Sequence, residues 1–344
     1  MDTLLTIIYG LLVLTVLVVL HEFGHFIIGK LSGIKINEFS VGFGPKIVSR
    51  PGKDGILYSV RCLPLGGFVA FEGEDDETAE DPNAFNNVSP AKRLLTIAAG
   101  PFFNIVGAIL ISVIVLAGFG DYTPVIHTVQ ENMPAYEAGL MPEDHIIKVN
   151  GEQIDFVSEF TLAFDKAKEH DSVTVTVDRN GEVLDFDVPF SEDSGNKIIG
   201  IQYTQLKKNY SLLDSVKLSF KWLWLLTKET YSSIGDLIFR GKGIENYAGP
   251  IGTISIVGQA ARGGFEIILR IMSMLSLNLA IMNFLPFPAL DGGRFLLVFI
   301  ELITGKHLSR KAENWINAVG LVILFGFMIF LTYSDITKLI SGGY

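Results

Sequence analysis

Four stretches of this chain are apolar almost without relief, and they set its plan. Residues 4–20 carry no charge and are interrupted only by Thr6, Tyr9, Gly10 and Thr15. The run extends as a helix to about residue 31, where Ser32-Gly33 ends it. Further runs cover 94–119, 267–285 and 315–333. Each is close to the ~20 residues that a helix needs to cross hydrocarbon, so the pattern predicts four transmembrane helices. Between the first two the period changes. Ile36, Phe39, Val41 and Phe43, then 56–60, then 67–71 read as short strands punctuated by Gly and Pro. Strands of this character between two spans suggest a sheet or hairpin dipping towards the membrane. Backbone edges at that depth survive only inside protein or along a wet cavity, and an open edge can accept an added strand. A plain cytoplasmic loop with a hairpin is the bland alternative.

Residues 120–205 change character again. β-like runs at 125–129, 146–149, 173–177 and 183–188 accompany one helix candidate, 156–168, and Asn150-Gly151 is a tight-turn signal. Residues 119–205 hold 17 Asp and Glu against five Lys and Arg, more than the whole formal charge of −10, so this is a solvated domain. That acidity argues against a nucleic-acid partner, which needs a basic patch. Residues 72–90, acidic and rich in Asn, read as a mobile loop. Residues 210–243 mix Trp222, Trp224 and leucines with Lys221, Lys228 and Glu229. They read as an amphipathic helix at the membrane interface, with a fifth span as the weaker alternative. Ala248-Gly249-Pro250-Ile251-Gly252 reads as a flexible junction. The expected organisation is a first membrane half (1–119), a solvated insert (120–205), an interfacial linker (206–264) and a second membrane half (265–344).

Chemistry concentrates where the first apolar run ends, at His21-Glu22-Phe23-Gly24-His25. Positions i and i+4 share a helix face, so both imidazoles can reach one metal ion, with Glu22 placed to act as base on a bound water. The same letters by chance, two histidines and a glutamate near lipid headgroups, are the structural alternative. The third run ends in Asn283-Phe284-Leu285-Pro286-Phe287-Pro288-Ala289-Leu290-Asp291-Gly292-Gly293. An acid at a helix break inside a membrane protein faces the interior or water, and Asp291 is the best candidate here for a third ligand. A helix N-cap is its other reading, and the two are compatible. Asn104, after Gly100-Pro101, reads first as a helix-packing residue and second as a site residue. Cys62 stands alone, which excludes an intramolecular disulfide and a cysteine zinc cluster. The N-terminal run lacks a basic leader and a small-residue cleavage site, so it is expected to be a retained helix.

Loop charge sets the orientation. Residues 30–93 hold eight Lys and Arg and 286–314 hold four, whereas the N-terminal flank has none. Four spans with both termini outside satisfy the rule. The histidine motif and Asp291 then lie near the cytoplasmic side and the solvated insert lies outside.

Together these motifs resemble the site-2 protease family of intramembrane zinc metalloproteases, over almost the whole chain. The insert resembles a PDZ domain. Met133-Pro134-Ala135, Ala138-Gly139-Leu140 and Asn150-Gly151 fit, while Glu143-Asp144 stands where Gly-Asp is usual. A single such module points to the bacterial RseP-type branch. The resemblance implies a multi-pass α-helical protein with four transmembrane helices, a membrane-associated β-element and an inserted α+β PDZ-like domain. It implies one Zn2+ per chain on His21, His25 and Asp291, with Glu22 activating the water. It implies that Asn283, Pro286 and Pro288, with the strand at Gly66, Gly67 and Phe68, contact the substrate. Expected substrates are single-span membrane proteins, such as anti-sigma factors already trimmed by an upstream site-1 protease, and remnant signal peptides. The expected location is the bacterial plasma membrane, with the PDZ-like domain as a size filter. A non-catalytic PDZ scaffold and a metal transporter are the other classes; the pairing of Glu22 with Asp291 speaks against the first, and Glu22 beside His21 against the second.

Overall fold

The computed structural model describes residues 2–74, 80–193, 196–244, 247–306 and 309–340. In chain order, α1 (Asp2–Leu31) leads to β1 (Ile36–Pro51), β2 (Leu57–Phe71) and α2 (Pro90–Phe119). Next come β3 (Asp121–Val129), α3 (Pro134–Ala138), β4 (His145–Val149), β5 (Glu152–Gln153), α4 (Val157–Ala167), β6 (Ser172–Arg179) and β7 (Glu182–Pro189). The short β8 (Ser191–Asp193) and β9 (Asn196–Ile198) precede β10 (Ile201–Lys208). The helices α5 (Leu212–Gly235), α6 (Pro250–Arg262), α7 (Phe265–Phe284), α8 (Asp291–Thr304) and α9 (Arg310–Ile340) complete the chain. Two compact units result, Met1–Ser112 with Ser219–Tyr344, and Val113–Leu218.

Four helices among the described residues are long and apolar enough to cross a membrane: Leu4–Leu31, Pro90–Phe119, Phe265–Phe284 and Lys311–Ile340. Their outward faces are apolar and exposed at Leu12, Leu110, Val322 and Ile329, a surface that suits lipid and not water. α1 ends at Gly33, whose φ of 75° suits a residue without a Cβ, while Ile34 N–H bonds back to Gly29 O.

The expected short strands are arms of two long, bent ones. β1 turns at Gly42 and Gly44 (φ 87° and 82°), and β2 turns at Gly66 (φ 113°). The arms pair antiparallel on both sides, so Phe39 faces Val69 on one flank and Tyr58 on the other. The last arm of β2 runs along α1. Thr15 donates to Pro64 O (2.5 Å), and a Cβ on Gly66 would lie 2.8 Å from Val18. The sheet therefore reaches back about 24 Å from the end of α1, at 1.5 Å per residue.

Two expectations need correction, the flexible junction and the mobile loop. The junction at 248–252 is the start of a helix: Asp335 of α9, wholly buried, accepts from Gly249 N–H (3.1 Å) and Gly252 N–H (2.8 Å) and so caps α6. Gly258 lies against Thr6 and Gly10 against Ile254, so small residues let α6 close on α1. The helix α5, expected at the interface, packs on two candidate spans. Leu223 is buried with Ala108, Leu277 and Ile281, and Thr230 donates to Asn278 (3.0 Å). The acidic loop is anchored where it is described, because Phe85 and Val88 are buried with Phe71 and Leu94; residues 75–79 of it lie outside the described residues.

The second unit is a sheet in the order β10-β3-β4-β6-β7, with β5 on β4 and a separate β8–β9 pair. Val173, Val175 and Val177 of β6 alternate inward, wholly buried, against Phe160 and Ala163 of α4. Asn150 and Gly151 both take positive φ (48° and 80°), as a two-residue hairpin turn requires. The longest strand missed in the sequence is β10, whose polar residues pair only with β3 at the sheet edge. Glu143, at φ 71°, occupies a left-handed position. Asp144 beside it is buried and takes both arms of Arg179 at 2.6 Å.

Candidate metal centre

On α1, four-residue spacing brings the imidazoles of His21 and His25 edge to face, 4.8 Å between centroids. Their Nε2 atoms lie 3.2 Å apart. The third corner comes from α8. The loop between α7 and α8 turns back on itself through Pro286 and Pro288, with Ala289 at φ 72°. Gly292 and Gly293 leave no room for a Cβ against the backbone of Phe284 to Pro288, so the loop lies flat on the start of α8. Leu290 holds the N-cap position and Asp291 is the first helical residue, which corrects the N-cap reading of Asp291. A carboxylate there meets the positive end of the helix.

Asp291 Oδ2 stands 2.9 Å from His21 Nε2 and 3.2 Å from His25 Nε2. It is buried, and among the described residues it has no well-aligned hydrogen-bond partner. Three candidate ligand atoms thus converge, with the carboxylate oxygen left unsatisfied. A tetrahedral zinc with bonds of about 2.0–2.1 Å sets its ligand atoms roughly 3.3 Å apart, so the triangle fits such an ion. His21, His25 and Asp291 form the single group of this kind among the described residues.

Around this triangle the chain is close-fitting. His25 Nδ1 lies 2.8 Å from Thr96 O, and Asn104 Nδ2 lies 3.2 Å from His21 Nδ1, both on α2. Gly100 between them faces both rings, and a Cβ there would run into His25 Nε2. Gly24 likewise admits the backbone of Ala99. From the sequence, Asn104 reads first as a packing residue. The signal available was its four-residue spacing from Gly100, which puts both on one face.

Glu22 points to the sheet, where its carboxylate accepts the backbone N–H of Val69. Gly66 and Gly67 are buried on α1 beside Val18 and Val19, and Phe68 lies under the Arg61 guanidinium and against Phe43. Asn283 is half-buried at the end of α7, Pro286 is exposed, and Pro288 carries Gly320 of α9 packed on it. Arg294, one turn beyond Asp291, pairs with Glu74 at 2.6 Å and lies over Phe85, tying α8 to the segment after β2.

A family model described as peptidase family M50 matches residues 9–327. The chain is 34% identical over 333 residues to a protein of Clostridium perfringens, covering 96% of this chain and 98% of the relative. It is 31% identical over 334 residues to one of Clostridium acetobutylicum (96% and 97% covered) and 31% over 360 residues to one of Agrobacterium fabrum (96% and 95%). All three relatives are provisionally named zinc metalloproteases.

Proposed function

The chain belongs to peptidase family M50, the site-2 protease family, and from that premise we propose how it works as a membrane zinc metalloprotease. The observation that carries the reading is the convergence of His21 Nε2, His25 Nε2 and Asp291 Oδ2, with Glu22 one residue along the same helix. These three residues would hold zinc, and Glu22 stands beside them as the base. Bound zinc would polarise the scissile carbonyl and lower the pKa of a water to about 7.

The rest falls to the chain's own groups. Glu22 takes the proton of the attacking water on its carboxylate and returns it to the leaving amine. The Val69 N–H holds that carboxylate and keeps it beside His21. A substrate helix is internally hydrogen-bonded and must unwind before its carbonyl is reachable. Adding it as a strand beside Gly66, Gly67 and Phe68 would hold it extended, and the loop at Asn283, Pro286 and Pro288 would close over the other side.

In this reading the substrates are single-span membrane proteins, such as anti-sigma factors after site-1 cleavage, or remnant signal peptides. The exposed apolar residues Ile47, Val48, Leu63 and Leu65 support a β-element immersed in the plasma membrane. The second unit is read as an extracytoplasmic PDZ-like domain of the RseP-type branch, acting as a size filter, with both termini on that side and the active site near the cytoplasm.

The test is cleavage of a reporter transmembrane segment by purified protein in detergent, wild type against Glu22→Gln, with metal content measured in parallel. Zinc in both and cleavage by wild type alone is the expected result. Equal cleavage by the two proteins removes Glu22 from the mechanism, and absence of metal from wild type removes the centre.

A further inference from the structure

α2 meets the two histidines along one face, and each residue of that face makes a different contact. Thr96, Gly100 and Asn104 stand four apart and so stack on one side of the helix. Thr96 presents a carbonyl to His25 Nδ1. A carbonyl only accepts, so His25 Nδ1 carries a proton, and Nε2 is the nitrogen turned to Asp291. Gly100 supplies space.

Asn104 is different because its amide carries a donor and an acceptor. The side chain is wholly buried, its Nδ2 faces His21 Nδ1, and its Oδ1 is buried with no partner among the described residues. An unpaired buried oxygen is unfavourable and calls for an explanation. Ser276 Oγ donates to the Asn104 backbone carbonyl (2.8 Å), so α7 holds the backbone of the residue and takes no hydrogen bond from its amide. With Nδ2 donating to Nδ1, the His21 proton lies on Nε2, 2.9 Å from Asp291 Oδ2. With the amide turned over, Oδ1 accepts from Nδ1–H and the Nε2 lone pair faces the point shared with His25 and Asp291. The two ends of an amide have nearly the same shape, so the surrounding packing admits both.

We propose that Asn104 is a positioning residue of the zinc centre, holding His21 through Nδ1 in either tautomer and turning over when the metal binds. This rests on the zinc reading above. Neutral histidine ligands are commonly fixed by a hydrogen bond at the second ring nitrogen, and loss of that partner weakens metal binding about 10–100-fold.

The experiment uses the full chain in detergent with 15N-labelled histidine. Imidazole shifts report which His21 nitrogen carries the proton, and competition with a chelator gives zinc affinity. Wild type is expected to carry the His21 proton on Nε2 without zinc and on Nδ1 with it. Asn104→Asp, which only accepts, keeps the proton on Nδ1 in both states. Asn104→Leu binds zinc about 10–100-fold more weakly. Ser112→Ala loses a helix–helix bond to Ser273 without touching either ring, and binds zinc as wild type does. If Asn104→Leu fails to fold, the wild-type and Asn104→Asp spectra still decide. A wild-type His21 proton that stays on one nitrogen with and without zinc overturns the proposal, as does wild-type affinity in Asn104→Leu. A wild type that binds no zinc overturns the zinc reading instead.

Discussion

The backbone N–H of Val69 hydrogen-bonds the side chain of Glu22, so a sheet strand holds the carboxylate that stands beside His21. Val69 is on the arm of β2 that runs along α1, paired with Phe39 on its other flank. Replacing it by proline removes that N–H and little else from the strand edge. Val69→Pro is expected to retain zinc and to lower kcat about tenfold or more, up to the ~10²–10⁴-fold that general acid–base catalysis supplies. Steady-state cleavage of a reporter segment reads it, and an unchanged kcat would separate Val69 from Glu22.

Asp291 reaches the histidines only because α8 begins where it does. Asp291→Ala is expected to weaken zinc binding by more than about 100-fold, beyond the usual loss of an outer partner. Zinc retained after dialysis against a chelator is the measurement. Retention at the wild-type level would mean that another group completes the site.

Asp54 ties the sheet to the end of α1. The hydrogen bond from Lys30 (2.6 Å), helped by Tyr58 (3.0 Å), holds its carboxyl down to about 2 from the ordinary 3.8. Because the folded value is the lower one, this stabilisation is present above about pH 4 and disappears as pH falls through about 2. Asp54→Asn should therefore melt below wild type at neutral pH, and the two curves should converge towards pH 2. A gap in Tm that does not change with pH would assign the effect to packing.

Glu143 takes φ 71° just before the buried Asp144 that Arg179 grips. A residue with a Cβ is strained there by about 1–2 kcal/mol, part of which glycine returns as unfolded-chain entropy. Glu143→Gly is expected to stabilise the second unit by about 0.5–1 kcal/mol, read as slower hydrogen exchange at Val175 and Val177 in the intact protein. Faster exchange there would show that the Glu143 side chain itself contributes.

Two kinds of information met in this chain. The four long apolar helices, the i, i+4 histidines and the Asn150-Gly151 turn were legible locally, because hydrophobic burial adds along a helix and turn chemistry depends on one or two residues. β10 escaped because an edge strand needs no apolar run. The helix at 250–262 escaped because its start is capped by Asp335, from the far end of the chain. Tertiary structure alone decided which polar atoms meet: Asp291 with His21 and His25, Val69 with Glu22, Asn104 with His21. Such pairs depend on approaches of about 3 Å between distant segments, and those approaches rest on glycines at 24, 66, 100, 292 and 293 that let backbones and rings touch. A linear pattern shows that a glycine is present, but only the folded chain shows what comes to rest against it.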